Sequence, residues 1–317
     1  MSRLLPAATT FAEFYRERSR PLTDWLPALQ SIAALHCLTD GPVARFSRGE
    51  CPVFSWGPQF VIKLLPALME KRAQQETDLL TFLGTCTVPP APRLIAQGVL
   101  EGWIYLVMTR IAGMPLHEVW PLIPPQQRPA LAHEYGRALA ALHAKPPTDT
   151  DPGGIDWAVF CRDGIANWPE RGSVRRLSAA LKADGARYFR DHAARIAGAP
   201  RVMLHGDLAP ENLMVQEVNG QWTIAAWIDF GNAMRGDAWF DLTAATILLE
   251  PGDRTIVHAL LDGHAPGTSS RLTEVRPALM VNTLLHPLGD IAACLALIPG
   301  AIDCRTWNEV ALRFWPD

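Results

Sequence analysis

A chain of 317 residues, 49% of them hydrophobic, is long and apolar enough to bury about two domain cores. The formal net charge of −3 and the lack of any lysine or arginine run argue against a nucleic-acid partner. No apolar run reaches the roughly 18 residues of a membrane span, and the six cysteines show no Cys-x-x-Cys spacing. We therefore expect a cytoplasmic protein with reduced thiols, no membrane partner and no zinc site.

Residues 1–40 carry apolar side chains at helical spacing, among them Phe11 and Phe14, and predict a helical cap on a first domain. Strand-like runs separated by short turns then predict a small antiparallel sheet. These runs are 43–47, 52–56 and 60–65. A helical pattern at 70–83 and a hairpin pattern at 93–110 complete this part of the chain.

The third of these strands places Lys63 among apolar residues, on the face opposite to its direct neighbours. From residue patterns alone, such a lysine is either an exposed edge charge or a ligand for a negatively charged group. The loop between the first two strands contains Arg48 and a single glycine, Gly49. The chain lacks both the Gly-x-Gly-x-x-Gly pattern and the P-loop pattern, yet backbone amides in such a loop can still contact phosphate.

The most informative pattern is HGDLAPEN, which is followed by WIDFG. Two strand-like runs lie between these motifs and are separated by Asn219-Gly220. Because both residues tolerate positive φ, the pair predicts a tight hairpin. Such a hairpin returns Asp229 to the neighbourhood of Asn212.

Three polar residues of these motifs fit phosphoryl transfer. A carboxylate such as Asp207 can align an attacking hydroxyl and accept its proton. The amide oxygen of Asn212 and the carboxylate of Asp229 are the hard oxygen ligands that Mg²⁺ prefers. Each aspartate taken singly also fits a cap or a turn, but the spacing of the three groups around a hairpin favours the chemical interpretation.

The HGD-x-x-x-x-N and IDFG motifs resemble those of the aminoglycoside phosphotransferase and choline kinase superfamily. Residues 236–242 are similar to its Gly-Asp-Pro-x-x-Asp-Leu element, with Ala238 in place of proline. Within the superfamily, stretches such as YLVMTRIAG and LLHPLGD look most similar to hygromycin B phosphotransferases. The resemblance implies an α+β, protein-kinase-like fold with an antiparallel sheet in an N-lobe, 1–110, and a mostly helical C-lobe, 111–317.

The resemblance also implies roles for individual residues. Asp207 would be the catalytic base, and Asn212 and Asp229 would be the magnesium ligands. Support for the catalytic loop would come from His205, Asp237 and Asp241. The nucleotide, ATP or alternatively GTP, would contact Lys63 with its partner Glu76 (or Glu70), the loop residues Arg48 and Gly49, and the hinge residues Met108, Thr109 and Ile111.

The stretch between Lys145 and Arg201 reads as irregular and then helical up to His192. In aminoglycoside kinases the corresponding insert lines the acceptor pocket. Its carboxylates fit contacts to a cationic acceptor, and they equally fit solvated loop charges. Together with candidates from later helices, the possible acceptor residues are Asp149, Asp151, Asp156, Asp163, Glu170, Glu250, His286 and Asp290.

The implied activity is transfer of a phosphoryl group from ATP, with Mg²⁺, to a hydroxyl of hygromycin B or a related cationic aminoglycoside, which would confer antibiotic resistance. One alternative is a metabolic kinase for choline, homoserine or a sugar. Two others are a non-catalytic kinase-like binding protein and a metallohydrolase built on His205 and Asp207. The sequence leaves a monomer and a dimer equally open.

Overall fold

The computed structural model describes residues 3–84, 90–146, 156–286 and 290–317. Internal contacts divide the chain into two compact units, Met1–Ala112 and Gly113–Asp317. Within the described ranges, no helix combines the length and the apolar character that crossing a bilayer requires.

Among its described residues, the first unit combines three α-helices with a five-stranded sheet. In chain order its elements are α1 (Phe11–Glu17), α2 (Leu22–Leu35), β1 (Val43–Arg45), β2 (Val53–Trp56), β3 (Phe60–Pro66), α3 (Glu70–Leu83), β4 (Leu94–Leu100) and β5 (Trp103–Thr109). The strand order is β1-β2-β3-β5-β4, and each neighbouring pair is antiparallel. The predicted sheet, helix and second hairpin are therefore confirmed.

Aromatic side chains fill the core between the N-terminal helices and the sheet. Trp25 of α2 is fully buried, and its ring lies 5.8 Å from that of Phe54 and 5.4 Å from that of Trp103. Phe14 of α1 packs on Trp103 at 6.1 Å. Because aromatic rings bury large apolar areas, these contacts attach the helical cap firmly to the strands.

The second unit contains short strands among many helices. Its elements are β6 (Met114–Pro115), α4 (Leu116–Val119), α5 (Arg128–His143), α6 (Trp157–Ala166), α7 (Gly172–Arg175), α8 (Ala179–Gly198), β7 (Arg201–Leu204), β8 (Leu213–Val218), β9 (Gln221–Trp227), β10 (Met234–Asp237), α9 (Ala238–Leu249), α10 (Arg254–His264), α11 (Leu272–Leu285), α12 (Ile291–Leu297) and α13 (Trp307–Phe314). Strands β6, β8 and β9 form one small sheet, and β10 pairs with β7 in another.

The hairpin predicted around Asn219-Gly220 is confirmed. Strands β8 and β9 are antiparallel, and the two turn residues have φ of 53° and 77°. The register pairs Leu213 with Trp227, so the residues just before Leu213 and just after Trp227 lie beside each other. The HGDLAPEN and WIDFG motifs are thereby brought together.

Helices α5 and α10 approach each other closely because glycines face the contact. A Cβ atom at Gly136 would lie 2.0 Å from the Leu260 carbonyl oxygen, and one at Gly263 would lie 2.1 Å from the His133 carbonyl oxygen. Neither position accepts a larger residue without a backbone shift. The close approach brings the last residues of the two helices, His143 and His264, into contact.

The segment expected to be irregular after Lys145 is more helical than predicted. Helix α6 begins at Trp157 because the Asp156 carboxylate accepts hydrogen bonds from the Ala158 and Val159 amides, which caps the first turn. The Pro-Gly-Gly run just before this cap favoured a loop prediction. Asp149 and Asp151 lie outside the described residues.

Candidate active site

Lys63 and Glu76 form a buried ion pair in the first unit. Strand β3 presents the lysine and helix α3 presents the glutamate, with Nζ at 2.9 and 2.7 Å from the two carboxylate oxygens. Both side chains are almost completely buried, at 6% and 2% exposure. Such a pair keeps the ammonium charged and fixed in a low-dielectric environment, which suits a group that binds phosphate.

The predicted hinge spans the end of β5 and the residues that follow it. The Thr109 N–H donates to the Arg93 carbonyl at 2.9 Å, so its own carbonyl is the backbone group that it can offer to an adenine amino group. Met108 is buried, whereas Ile111 is half-buried. Hinge binding by these residues stays a prediction.

The loop with Arg48 and Gly49 connects β1 to β2. Arg48 is exposed, and Gly49 has φ of 101°, a conformation that L side chains rarely adopt. Contact of this loop with a nucleotide also stays a prediction.

In the second unit, Gly206 is the pivot of the HGD motif. Its φ is 81°, and a Cβ atom there would lie 2.1 Å from the Asn232 carbonyl oxygen. Only glycine fits this position, which turns the chain so that Asp207 follows in a half-buried place. The Asn232 side-chain amide lies 3.4 Å from the Asp207 Oδ2 atom.

His205 uses both ring nitrogens, one within its own motif and the other to contact the WIDFG motif. Its Nδ1 accepts from the Asp207 N–H at 3.3 Å, and its Nε2 donates to the Ile228 carbonyl at 3.1 Å. Burial lowers the pKa of His205, against the opposing charges of Asp241 and Asp229, so the ring is neutral near pH 7. A neutral ring with its proton on Nε2 satisfies both contacts.

Asn212 and the residue before Asp229 are joined by a backbone hydrogen bond. The Ile228 N–H donates to the Asn212 carbonyl at 3.0 Å, which holds the residue before Asp229 against Asn212. The Asn212 side-chain nitrogen donates to the Asp207 carbonyl at 2.9 Å. The side-chain oxygen of Asn212 is therefore the atom that can bind a cation. Asp229 has φ of 62°, an uncommon conformation outside glycine. The donor set fits Mg²⁺.

Asp241, on α9, holds the backbone of the HGD loop. Its carboxylate accepts from the His205 N–H at 2.8 Å and from the Gly206 N–H at 2.9 Å. It also accepts from His143 Nε2 at 3.2 Å. Burial by itself would raise the pKa of Asp241, but the hydrogen bond and charge of His143 outweigh it and hold that pKa below its usual value.

His143 is oriented in turn by His264, at 2.9 Å between His143 Nδ1 and His264 Nε2. Since a carboxylate only accepts, Nε2 of His143 carries the proton that its contact with Asp241 requires. Burial lowers the pKa of His264 to about 4, so His264 is neutral near pH 7. A chain of contacts thus runs from α10 through α5 to the HGD loop.

Asp237 performs a different task from Asp241. It caps helix α9 by accepting from the Trp239 N–H at 3.1 Å, and its Oδ2 accepts from the Asn282 side chain at 3.0 Å. Burial raises the pKa of Asp237, and the hydrogen bonds from Asn282 and Trp239 oppose this rise. Its geometry supports the loop indirectly, by fixing the first turn of the helix that carries Asp241.

The candidate acceptor residues of the insert contact neighbours within the chain. Asp156 caps α6. Asp163 lies 3.0 Å from the Arg162 guanidinium, and Glu170 lies 3.0 Å from that of Arg175, with all four side chains exposed. The structure therefore gives each a local partner, and their role toward an acceptor stays a prediction.

The later candidates also have partners. Glu250 lies 3.6 Å from the Arg128 guanidinium, and Asp290 pairs with Arg176 and caps α12. His286 is buried, and burial lowers its pKa to about 4. A role of these three residues in acceptor binding stays a prediction as well.

The sequence analysis assigned no role to three residues that contact the predicted site residues: Asn232, His264 and Asn282. Asn232 directly follows the IDFG motif, and that position was the available signal. His264 and Asn282 contact residues 121 and 45 positions away in the chain. Only the packing of helices brings these pairs together.

Comparisons with known proteins agree with this architecture. The model of the phosphotransferase enzyme family matches residues 54–274. Viomycin phosphotransferase from Streptomyces vinaceus is 29% identical over 215 residues, which cover 66% of this chain and 72% of that protein.

Two solved structures illustrate the likeness of fold. The GDP and kanamycin complex of APH(2'')-IIia has a TM-score of 0.68 at 15% identity and covers 88% of this chain and 96% of its own. The aminoglycoside phosphotransferase APH(3'')-Id from Streptomyces rimosus, in complex with ADP and streptomycin, has a TM-score of 0.57 at 20% identity and covers 84% and 98%. The predicted α+β, protein-kinase-like fold is confirmed. The chain belongs to the phosphotransferase enzyme family, within the aminoglycoside phosphotransferase superfamily, and is a small-molecule kinase.

Proposed function

We propose that this chain transfers the γ-phosphoryl group of ATP to a hydroxyl of a small cationic antibiotic. The observation that carries the proposal is the HGD loop itself. Asp241 and His205 hold its backbone, and the Asn212 side chain donates to the Asp207 carbonyl, which supports the proposed grouping of Asp207 with Asn212 and Asp229. Positioning of this kind supplies most of what phosphoryl transfer demands from a protein.

Asp207 is the group that would accept the proton of the acceptor hydroxyl. Its half-buried carboxylate is held by the loop backbone, and the nearby amide of Asn232 limits its rotation. A carboxylate suffices for this role, because the hydroxyl loses its proton late in a loose transition state. Asp207 thus orients the acceptor as much as it acts as a base.

Mg²⁺ would be held by Asn212 and Asp229 and, when bound, would neutralise the negative charge that develops on the phosphate oxygens. Lys63, kept charged by Glu76, would bind the phosphates of the nucleotide. The Thr109 carbonyl and the Ile111 amide are the backbone groups proposed to meet the base. We propose ATP as donor, with GTP as the competitor to be tested, because the two similar structures described above contain ADP and GDP.

The proposed acceptor rests on sequence similarity and on the charge of exposed side chains. Hygromycin B follows from the motif resemblance, and viomycin follows from the sequence relative. The chain carries exposed carboxylates such as Asp163 and Glu170 that can attract a cationic molecule. Attraction of this kind is screened over about 10 Å in 0.1 M salt, so acceptor affinity should weaken as ionic strength rises.

The test is an acceptor panel with purified protein, Mg²⁺ and either ATP or GTP. It should contain hygromycin B, viomycin, kanamycin and streptomycin, together with choline, homoserine and a fructosamine-type sugar. Coupled ADP or GDP release gives the rate, and mass spectrometry of the acceptor identifies the phosphorylated product. Phosphorylation of one antibiotic supports the proposal. Phosphorylation of only choline, homoserine or a sugar would replace it with a metabolic kinase.

A further inference from the structure

Glu50 lies in the loop between β1 and β2, residues 46–52, and attaches this loop to two helical regions of the first unit. The Glu50 carboxylate accepts from the Tyr15 hydroxyl at 2.7 Å and forms an ion pair with Arg72. Its carbonyl accepts from the Arg18 guanidinium at 2.7 Å. One residue therefore joins the loop to helix α1 and to helix α3.

Each attachment point is itself held. The Arg18 guanidinium lies over the Tyr15 ring, 5.0 Å from its centroid, so Tyr15 of α1 and Arg18, which directly follows that helix, also contact each other. Arg72 lies on α3 four residues before Glu76, and residues at this spacing share a helix face. The helix that orients Lys63 is thus the same helix that holds the loop.

The charge state of Glu50 favours this arrangement. Burial alone would raise the pKa of Glu50, but hydrogen bonds from Tyr15 and Arg72 and the positive charges of Arg72 and Arg18 hold it below its usual value. The pKa of Tyr15 is raised by the same hydrogen bond, so its hydroxyl keeps the donated proton near neutral pH. The contacts therefore persist under the conditions in which a kinase works.

We propose that Glu50 is a positioning residue for the nucleotide, which anchors the loop so that the backbone around Arg48 and Gly49 is held ready for phosphate. The inference rests on the proposed use of ATP. A loop with a single glycine makes few left-handed turns, and its shape must be fixed from outside. Anchoring it before binding lowers the entropy lost when the nucleotide orders it.

The decisive experiment measures kcat and both KM values for Glu50→Gln, Tyr15→Phe and the wild-type chain. In Glu50→Gln we expect the KM for ATP to rise about three- to tenfold while kcat and the acceptor KM change by less than about twofold. Tyr15→Phe, which removes one hydroxyl and keeps the ring over Arg18, should raise the KM for ATP in the same direction and by less. Equilibrium binding of a fluorescent ADP analogue should weaken in parallel.

Rescue separates positioning from simple loss of a side chain. Arg72→Glu alone should raise the KM for ATP, and the combination of Glu50→Arg with Arg72→Glu should recover part of the loss because the ion pair is restored in reverse. The matched control is Asp78→Asn on α3, since Asp78 accepts from Gln74 at 2.7 Å and does not contact the loop. Its KM for ATP should equal that of the wild type.

Two outcomes overturn the inference while leaving the proposed function in place. One is an unchanged KM for ATP in Glu50→Gln beside normal wild-type turnover. The other is an equal loss in kcat and in both KM values that follows a lowered melting temperature, which assigns Glu50 to fold stability alone. A wild-type chain that transfers no phosphoryl group from ATP overturns the proposed function and this inference together.

Discussion

Lys63 and Asp207, one in each unit, are held in place by different means. Lys63 sits on a central strand, and a buried carboxylate on a neighbouring helix balances its charge at 2.7 Å. Asp207 sits on a loop, and its position depends on backbone hydrogen bonds to Asp241 and on the ring of His205. A regular element positions a side chain directly, whereas a loop needs a second layer of buried polar groups to do so.

Because the two residues are held differently, substitutions near Lys63 and near Asp207 should affect different properties of the protein. Removing one partner of the Lys63–Glu76 pair leaves a buried charge uncompensated, which costs fold stability first. Removing a group from the catalytic loop leaves the surrounding helices intact, which costs turnover first. The following variants test this contrast, from the largest expected effect to the smallest.

Asp229→Ala should lower turnover by at least about 10³-fold at ordinary Mg²⁺ concentrations, because the ion loses its carboxylate ligand. The melting temperature should change little. Steady-state kinetics over a Mg²⁺ titration checks this, and a chelator should inactivate the wild type. Full activity in the variant, or in the chelated wild type, contradicts the metal assignment.

Asp207→Asn should lower kcat by about 10²- to 10³-fold with little change in the KM for ATP, because it keeps the shape and removes the proton acceptor. The matched control is Glu211→Gln in the same loop, an exposed acid whose change to an amide should leave kcat near the wild-type value. An equal loss of kcat in the two variants would mean that any negative charge in this loop matters, and not Asp207 in particular.

Glu76→Gln should cost about 2–3 kcal/mol of unfolding free energy, because the amide still accepts a hydrogen bond but no longer balances Lys63. Urea unfolding measures this. The double variant Glu76→Leu with Lys63→Met should be more stable than the single variant Glu76→Leu, because it leaves no unpaired buried charge. Glu170→Gln, which alters an exposed pair with Arg175, is the control and should leave stability unchanged. Equal stability of Glu76→Gln and the wild type would contradict the contrast.

Acid should weaken the second unit through its buried neutral histidines. The folded pKa of His264 and of His286 is lowered to about 4, below the unfolded value of about 6.5. The unfolded chain therefore binds more protons between these values, so stability is full above about pH 6.5 and declines as the pH falls toward 4. His264→Gln should flatten this decline by about 1 kcal/mol, whereas His258→Gln on the same helix should not.

Hydrogen exchange at pH 5 and pH 7 locates that effect. We expect the amides of α5 and α10 to lose protection at pH 5 more than those of β3 and α3. A uniform loss over both units, or an identical pH slope in His264→Gln, would contradict the role given to these histidines.

Much of the site was accessible from sequence because its parts are local. The Asn219-Gly220 turn specifies the hairpin that brings Asp229 to Asn212, and the resemblance to the superfamily predicted Glu76 as the partner of Lys63. The contacts of His264 with His143 and of Glu50 with Tyr15 join residues far apart in the chain. They depend on helix packing, for which a single sequence carries no periodic signal. Helix α6 was missed because its cap lies two residues after a Pro-Gly-Gly run.

The most direct test of the account is a ³¹P NMR time course with ATP, Mg²⁺ and an antibiotic acceptor from the panel. For the wild type we predict loss of the γ-phosphate signal with an equal gain of a phosphomonoester signal on the acceptor. Asp207→Asn should show neither change on the same timescale. Release of inorganic phosphate with no phosphomonoester, or wild-type transfer by Asp207→Asn, would contradict the proposal that this loop phosphorylates a hydroxyl.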